Sequence, residues 1–159
     1  MSDTPSRSPV SDPHDDAFAT LLAESYQRVV GAAPPFSESG LATARWLYAD
    51  APFGVLAHDG GADPRFVYAN ATALRIFGYR WDEMVGMPSR LSAPPADRGE
   101  RATLMKDVLR GGYTNDYRGR RITRTGRHFW IEDATVWNIV DREGTLRGQA
   151  ALIRAWTDA

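Results

Sequence analysis

A chain of 159 residues with 43% apolar and 25% charged side chains is long enough to bury one core and too apolar to be disordered throughout. A net charge of −1 gives no general electrostatic case for binding nucleic acid or an anionic membrane. With no cysteine, disulfides, thiolate nucleophiles, Cys-ligated zinc and iron–sulfur clusters are excluded together.

Residues 1–14 are rich in Pro, Ser and Asp and are expected to form a disordered tail. They lack the basic start and apolar run of a secretory signal. No stretch approaches the roughly twenty apolar residues of a membrane span, so a cytoplasmic protein is expected. Residues 15–159 are expected to form a single domain. A helix over 15–30 opens at Asp15 and Asp16, where acidic groups complement the helix dipole. It carries Phe18, Leu21, Leu22, Ser25 and Val29 at helical spacing and stops at Gly31. A second short helix is expected over 38–49, ended by Pro52.

Beyond Pro52 the pattern changes. FGVLAH (53–58) and RFVYA (65–69), with turn chemistry between them, predict a β-hairpin. Asn70 is a good N-cap for the helix ATALRIF, which places Leu74 and Phe77 on one face and stops at Gly78. A one-turn helix starts near Trp81, and 87–96 reads as a loop. Asp97 and Glu100 have capping-box spacing. The helix 97–110 that they open carries Leu104, Met105, Val108 and Leu109 on one stripe. Three strands follow: Tyr117–Arg124, Arg127–Val140 and Thr145–Trp156. Their short connections make them consecutive and antiparallel.

The strand 127–140 is apolar on both faces. Phe129, Ile131, Trp137 and Ile139 share one parity; Trp130, Ala134, Val136 and Val140 share the other. Two apolar faces need two covers. The helices within 70–110 supply one. The helix at 15–30 or a second subunit supplies the other, with the helix expected to pack on Trp130 and its neighbours. Five arginines fall within 118–127. Arg118, Arg120 and Arg124 share a face read as solvated, while Arg121 points the other way and needs a partner; Asp133 is the candidate.

This α+β order resembles the PAS fold. The resembling residues are Asn70-Ala71 and Ala73, Gly78-Tyr79 with Asp82-Glu83-Met84 and Gly86, Thr125 to Glu132, and Asp141-Arg142-Glu143-Gly144 with Leu146 and Gly148. Ala44 to Tyr48, Val55 to His58, Pro88 to Ala93 and Ala134 to Asn138 narrow the likeness. The chain resembles the MEKHLA domain, a PAS-related family of bacterial stand-alone proteins and plant homeodomain–leucine zipper regulators. The resemblance implies a five-stranded antiparallel sheet in the order 2-1-5-4-3 and a sensory or interaction role. No homeodomain or zipper is present, so DNA binding does not carry over. From Phe129 to Gly144 the chain has 16 residues, one more than the PAS pattern. A β-bulge would absorb the extra residue and turn over every face beyond about Glu132.

The chemistry is sparse. His14, His58 and His128 form no metal-ligand set, so no metal is expected. Haem ligation in a PAS fold would use the helix 97–110, which has no histidine. Adduct-forming flavin photochemistry needs a cysteine. Non-covalent flavin binding stays open, but no cofactor is expected. Ser89 and Ser92 lie in no nucleophile elbow, and Glu132 and Asp133 point to opposite faces, so no catalytic residue is expected. A cavity between the sheet and the helices of 70–110 is expected, lined by Leu56, Tyr68, Phe77, Leu104, Val108, Arg121, Ile131 and Asp133. Three functions compete. One is a PAS-like sensory module that binds a small, mostly apolar or aromatic ligand and signals through a partner protein. The second is a ligand-free interaction module, homodimeric or heteromeric. The third is a small cofactor-free enzyme using Asp133 or His58 as acid or base. No membrane or nucleic-acid partner is expected.

Overall fold

The computed structural model describes residues 12–35 and 43–159. The expected tail therefore lies, for residues 1–11, outside the described residues. Asp12 to His14 form a turn in which His14 N–H donates to Asp12 Oδ1, and the His14 ring meets Tyr48 edge-on. Helix α1 (Asp16–Val30) starts where the Asp15 side chain accepts from Phe18 N–H and ends at Gly31. The expected helix over 38–49 lies outside the described residues up to 42. Beyond that, α2 (Thr43–Arg45) continues as a π-helical turn, Trp46–Asp50.

Strands β1 (Gly54–Asp59) and β2 (Phe66–Ala69) form the expected hairpin, and every residue in both is buried. Helix α3 (Ala71–Phe77) follows, then the single turn α4 (Trp81–Met84). The expected loop 87–96 contains two short 3-10 turns, Ser89–Ser92 and Pro95–Asp97, the second extending one residue past it. Helix α5 (Arg98–Gly111) is not opened by a capping box. The Asp97 carboxylate forms an ion pair with Arg120 at 3.2 Å and caps nothing. Its stripe also differs from expectation: Val108 is buried, Leu104 and Met105 are half-buried, and Leu109 faces solvent.

Strands β3 (Tyr113–Ile122), β4 (His128–Val140) and β5 (Leu146–Asp158) complete an antiparallel sheet in the order β2-β1-β5-β4-β3. β3 begins four residues earlier than expected. Asn70 holds the junction of hairpin and helix. Its Oδ1 accepts from Ala73 N–H at 3.0 Å, which caps α3, and from Val55 N–H at 2.9 Å. Its Nδ2 donates to the carbonyls of Leu47 and Phe53.

Each sheet face has its own apolar cluster. α1 and α2 pack on one face against Val55, Tyr68, Trp137, Ile139 and Leu152. α3, α4 and α5 pack on the other against Leu56, Phe129, Ile131, Val136 and Ile153. The expected covers are therefore present, but the parity of β4 is not as read. Trp137 and Ile139 lie opposite to Phe129 and Ile131, because the strand turns over at Asp133. Asp133 has a φ of 50°. On the α5 face, residues run Ile131 to Ala134 in β4 and Tyr117 to Thr114 in β3, each step three residues long. The bulges on the two strands compensate, so the register upstream and downstream is the same. Consequently α1 does not reach Trp130. Its Tyr26 stands edge-on to Trp137 at 4.9 Å, and Ser25 Oγ donates to the Asn138 carbonyl while accepting from Val140 N–H. Trp130 is covered instead by the Arg118 guanidinium, 3.8 Å from its ring centre, and by Arg120.

Candidate functional site

Between the sheet and α5 lies a pocket with an open volume of about 30 Å³. Roughly 10–15 Å³ is needed to hold one water, and roughly 300–1,000 Å³ to enclose a drug-sized ligand. The space therefore suits a group of a few heavy atoms. Its apolar wall is formed by Leu56, Phe66, Phe77, Ile131, Val136 and Ile153. Its polar wall is formed by His58, Ser92, Arg101, Tyr117, Arg121 and Gln149, with no carboxylate among the lining residues.

The polar wall follows from strand geometry. Tyr117, Gly119 and Arg121 alternate onto the pocket face of β3. Arg121 is 4% exposed and donates to the Tyr117 hydroxyl at 3.2 Å and to its neighbour's carbonyl, that of Arg120, at 2.8 Å. The two side chains meet over Gly119, where a Cβ would stand 2.1 Å from the Tyr117 hydroxyl and 2.9 Å from Arg121 Nη1. The Tyr117 hydroxyl in turn donates to Glu100 Oε1 at 3.0 Å. Arg101 comes from α5 and is 8% exposed. Among the described residues its guanidinium has no hydrogen bond and no ion pair. Burial and the nearby Arg121 lower its pKa to about 10, against the smaller opposing influence of Tyr117 and Glu100.

His58 is buried in β1, and its Nδ1 lies 2.9 Å from the Asp59 carbonyl. Burial, with a smaller contribution from Arg101, pulls its pKa down to about 4 although the carbonyl opposes this. The ring is therefore neutral at pH 7, and Nδ1–H is the donor to that carbonyl. Gln149 and Asn138 tie the pocket's roof to the sheet. Gln149 Nε2 donates to the Met105 carbonyl and Asn138 Nδ2 to the Val108 carbonyl, both at 3.1 Å.

Of the eight residues expected around a cavity, Leu56, Phe77, Arg121 and Ile131 meet there. Tyr68 does not: it pairs with Ala57 across the hairpin, whereas Leu56 pairs with Ala69, so Tyr68 and Leu56 face opposite ways. Tyr68 packs instead beside Phe18 and Trp81 on the α1 side. Val108 and Leu104 pack on the same core but farther along α5, and Arg101 and Met105 line the pocket in their place. Asp133 is exposed. The bulge turns it out of the face that Arg121 occupies, so the expected Arg121–Asp133 pair does not form. The expected ligand-lining set also lacks Arg101, and lacks His58, which the sequence offered only as a candidate acid or base. Arg101 sits four before Met105 and seven before Val108, so the helical period already placed it on the buried stripe.

The other arginines of 118–127 are engaged. Arg118 pairs with Glu132 at 2.8 Å, Arg127 pairs with Asp158, and Arg124 donates to the Gly78 carbonyl at 2.9 Å. Among the described residues no cluster of three or more His, Asp or Glu is placed to hold a metal, and no helix is long and apolar enough to cross a membrane.

This sheet order, with α3–α5 packed over one face, defines the PAS class of fold, and solved structures agree. The PAS domain of a protein from Colwellia psychrerythraea superposes with a TM-score of 0.56 at 16% identity, over 67% of this chain and 86% of that one. A Light-Oxygen-Voltage domain studied with a flavin analogue gives 0.56 at 19%, over 67% and 78%. An RNA-binding Light-Oxygen-Voltage receptor gives 0.62 at 20%; the match covers 94% of this chain but 37% of the receptor. Identities this low carry the fold alone. The MEKHLA domain model matches residues 16–158, and the chain belongs to that family. No curated protein matches its sequence.

Proposed function

We propose that this MEKHLA domain is a sensory or regulatory module of the cytoplasm. It takes a small ligand into the pocket between the sheet and α5 and passes the change to a partner protein. The observation that carries this reading is the pocket's wall. Apolar side chains from both hairpin strands, α3, β4 and β5 surround a group of polar side chains that point into the same small space. A mostly apolar pocket with a few convergent polar groups is the usual form of a small-molecule site. The roof can transmit a change, because α5 is held to the sheet by side-chain hydrogen bonds from Gln149 and Asn138.

A second reading, a ligand-free interaction module or homodimer, draws support from the pocket's small volume and from the exposed side chains of Leu109 (53%), Leu146 (42%) and Trp156 (40%). The cofactor-free enzyme reading is weakened, since Asp133 lies outside the pocket and only His58 of its two candidate groups lines it. Native mass spectrometry of the protein purified from its own cells tests these readings together. A copurifying small molecule lost on pocket substitution supports the sensory module. A bare chain found only with a protein partner, or as a dimer, overturns it in favour of the second reading.

A further inference from the structure

Two arginine residues, Arg101 and Arg121, are 8% and 4% exposed and line one pocket with no carboxylate among its lining residues. Burying a charge without a counter-charge costs several kcal/mol, and proteins seldom leave such a cost uncompensated. Several solvated arginines of this chain have an acid partner, among them Arg80, Arg90, Arg110, Arg118, Arg127 and Arg142. Arg121 is partly satisfied by the Tyr117 hydroxyl and a backbone carbonyl, both neutral acceptors. Arg101 has no hydrogen bond and no ion pair among the described residues; Glu100, bonded to the Tyr117 hydroxyl, acts on it only as a weaker, more distant charge. We propose that the pocket is an anion site for a small carboxylate. Its charge would lie between Arg101 and Arg121 and its short alkyl part against Leu56, Phe77, Ile131 and Ile153. This rests on the sensory reading above and names the class of ligand for it.

Three features fit a carboxylate. The planar guanidinium fork matches the two oxygens of a carboxylate, and charge-assisted hydrogen bonds of this kind are among the strongest available to a side chain. The open volume of about 30 Å³ suits a molecule of acetate or propionate size rather than a larger acid. Burial first, and then the nearby Arg121 charge, disfavour the charged form of Arg101. A bound anion relieves both charges at once. It also joins α5, which carries Arg101, to β3, which carries Arg121. Binding would therefore tighten the contact between a helix and the sheet edge.

The test compares sodium propionate with propionamide by thermal unfolding of the full chain at constant ionic strength. A neighbouring pair, acetate and acetamide, is run alongside. At 100 times its Kd a ligand raises the Tm of a domain of this size by about 5–10 °C. The acids are expected to do so and the amides to give less than a tenth of that shift. In Arg101→Gln the acid-dependent shift should vanish, while the ligand-free protein becomes more stable because an uncompensated charge is gone. Arg101→Gln carries the test even if Arg121→Gln fails to fold. Equal shifts from acids and amides, both abolished by Leu56→Trp, would overturn the anion site and leave the sensory pocket standing. Acid shifts that persist in Arg101→Gln would place the anion elsewhere and overturn the proposal. If neither series shifts the Tm, the anion site falls, while a small molecule that copurifies with the wild type and is lost in Leu56→Trp would leave the sensory pocket standing.

Discussion

The Asp133 carbonyl accepts a hydrogen bond from Arg154 Nη1 at 3.1 Å, between the paired positions Glu132–Ala155 and Ala134–Ile153. This contact sits at the level where β4 turns over. Here the residue expected to neutralise Arg121 stands on the surface, with its backbone in the left-handed region. If Asp133 were a buried partner, Asp133→Asn would cost about 3–5 kcal/mol. On the surface it should change stability by less than about 0.5 kcal/mol. Asp133→Val should cost about 1–3 kcal/mol, since a β-branched residue is poorly accommodated at a φ of 50°. Urea titration of both variants separates the two cases.

Asn70 does more than cap a helix. An N-cap alone predicts a loss of about 1 kcal/mol for Asn70→Ala. The side chain also binds Val55 N–H and the carbonyls of Leu47 and Phe53, all at or near the core. Leaving buried partners unsatisfied adds about 1–3 kcal/mol each, so Asn70→Ala should cost at least about 3 kcal/mol. Asn70→Asp keeps the cap but turns both donors into acceptors facing carbonyls, and should be nearly as damaging. A loss near 1 kcal/mol for Asn70→Ala would show that water replaces the two carbonyl contacts.

His58 makes stability fall on acidification. Its pKa is about 4 when folded against roughly 6.5 unfolded, so between these values the unfolded chain binds the extra proton. This contribution is fully present above pH 6.5 and is lost as pH falls toward 4, for a total of about 3 kcal/mol. Carboxylates such as Asp141, whose hydrogen bond from Thr145 N–H lowers its pKa, add their own loss at the acid end. The difference between wild type and His58→Gln isolates the histidine. Chemical denaturation at pH 7.5, 5.5 and 4.5 should show the wild type losing more than the variant. Parallel curves would mean that the ring is hydrated.

α1 covers Trp137, the largest of the fully buried side chains. Deleting residues 1–14 should leave stability and oligomeric state unchanged. Deleting 1–31 removes Leu22 and Tyr26 from that face, at about 1.5–3 kcal/mol for each fully buried side chain. The longer truncation should shift tryptophan fluorescence to the red and promote dimers or aggregates. If it stays monomeric with unchanged emission, the helix is dispensable as a cover.

The sequence by itself determined what depends on neighbours along the chain. The helical period of 15–30, the cap at Asn70, the turn residues between strands and the ordered PAS-like motifs are local signals, and the elements form where they point. Even the existence of an extra residue between Phe129 and Gly144 was legible by counting. Where that residue sits, and what it does to every face beyond it, is not local. A strand has a period of two, so a single bulge at Asp133 moves Trp137 and Ile139 from the α5 side to the α1 side and sends the carboxylate into solvent. Tyr68 was misplaced for the same reason, because hairpin register and not composition decides which strand neighbours share a face. Arg101 shows the other limit. Its spacing from Met105 and Val108 put it on the buried stripe, yet an arginine on a helix reads as solvated unless something closes over it. Only the sheet packed against α5, bringing His58 and Arg121 to the same small space, decides that this residue is buried.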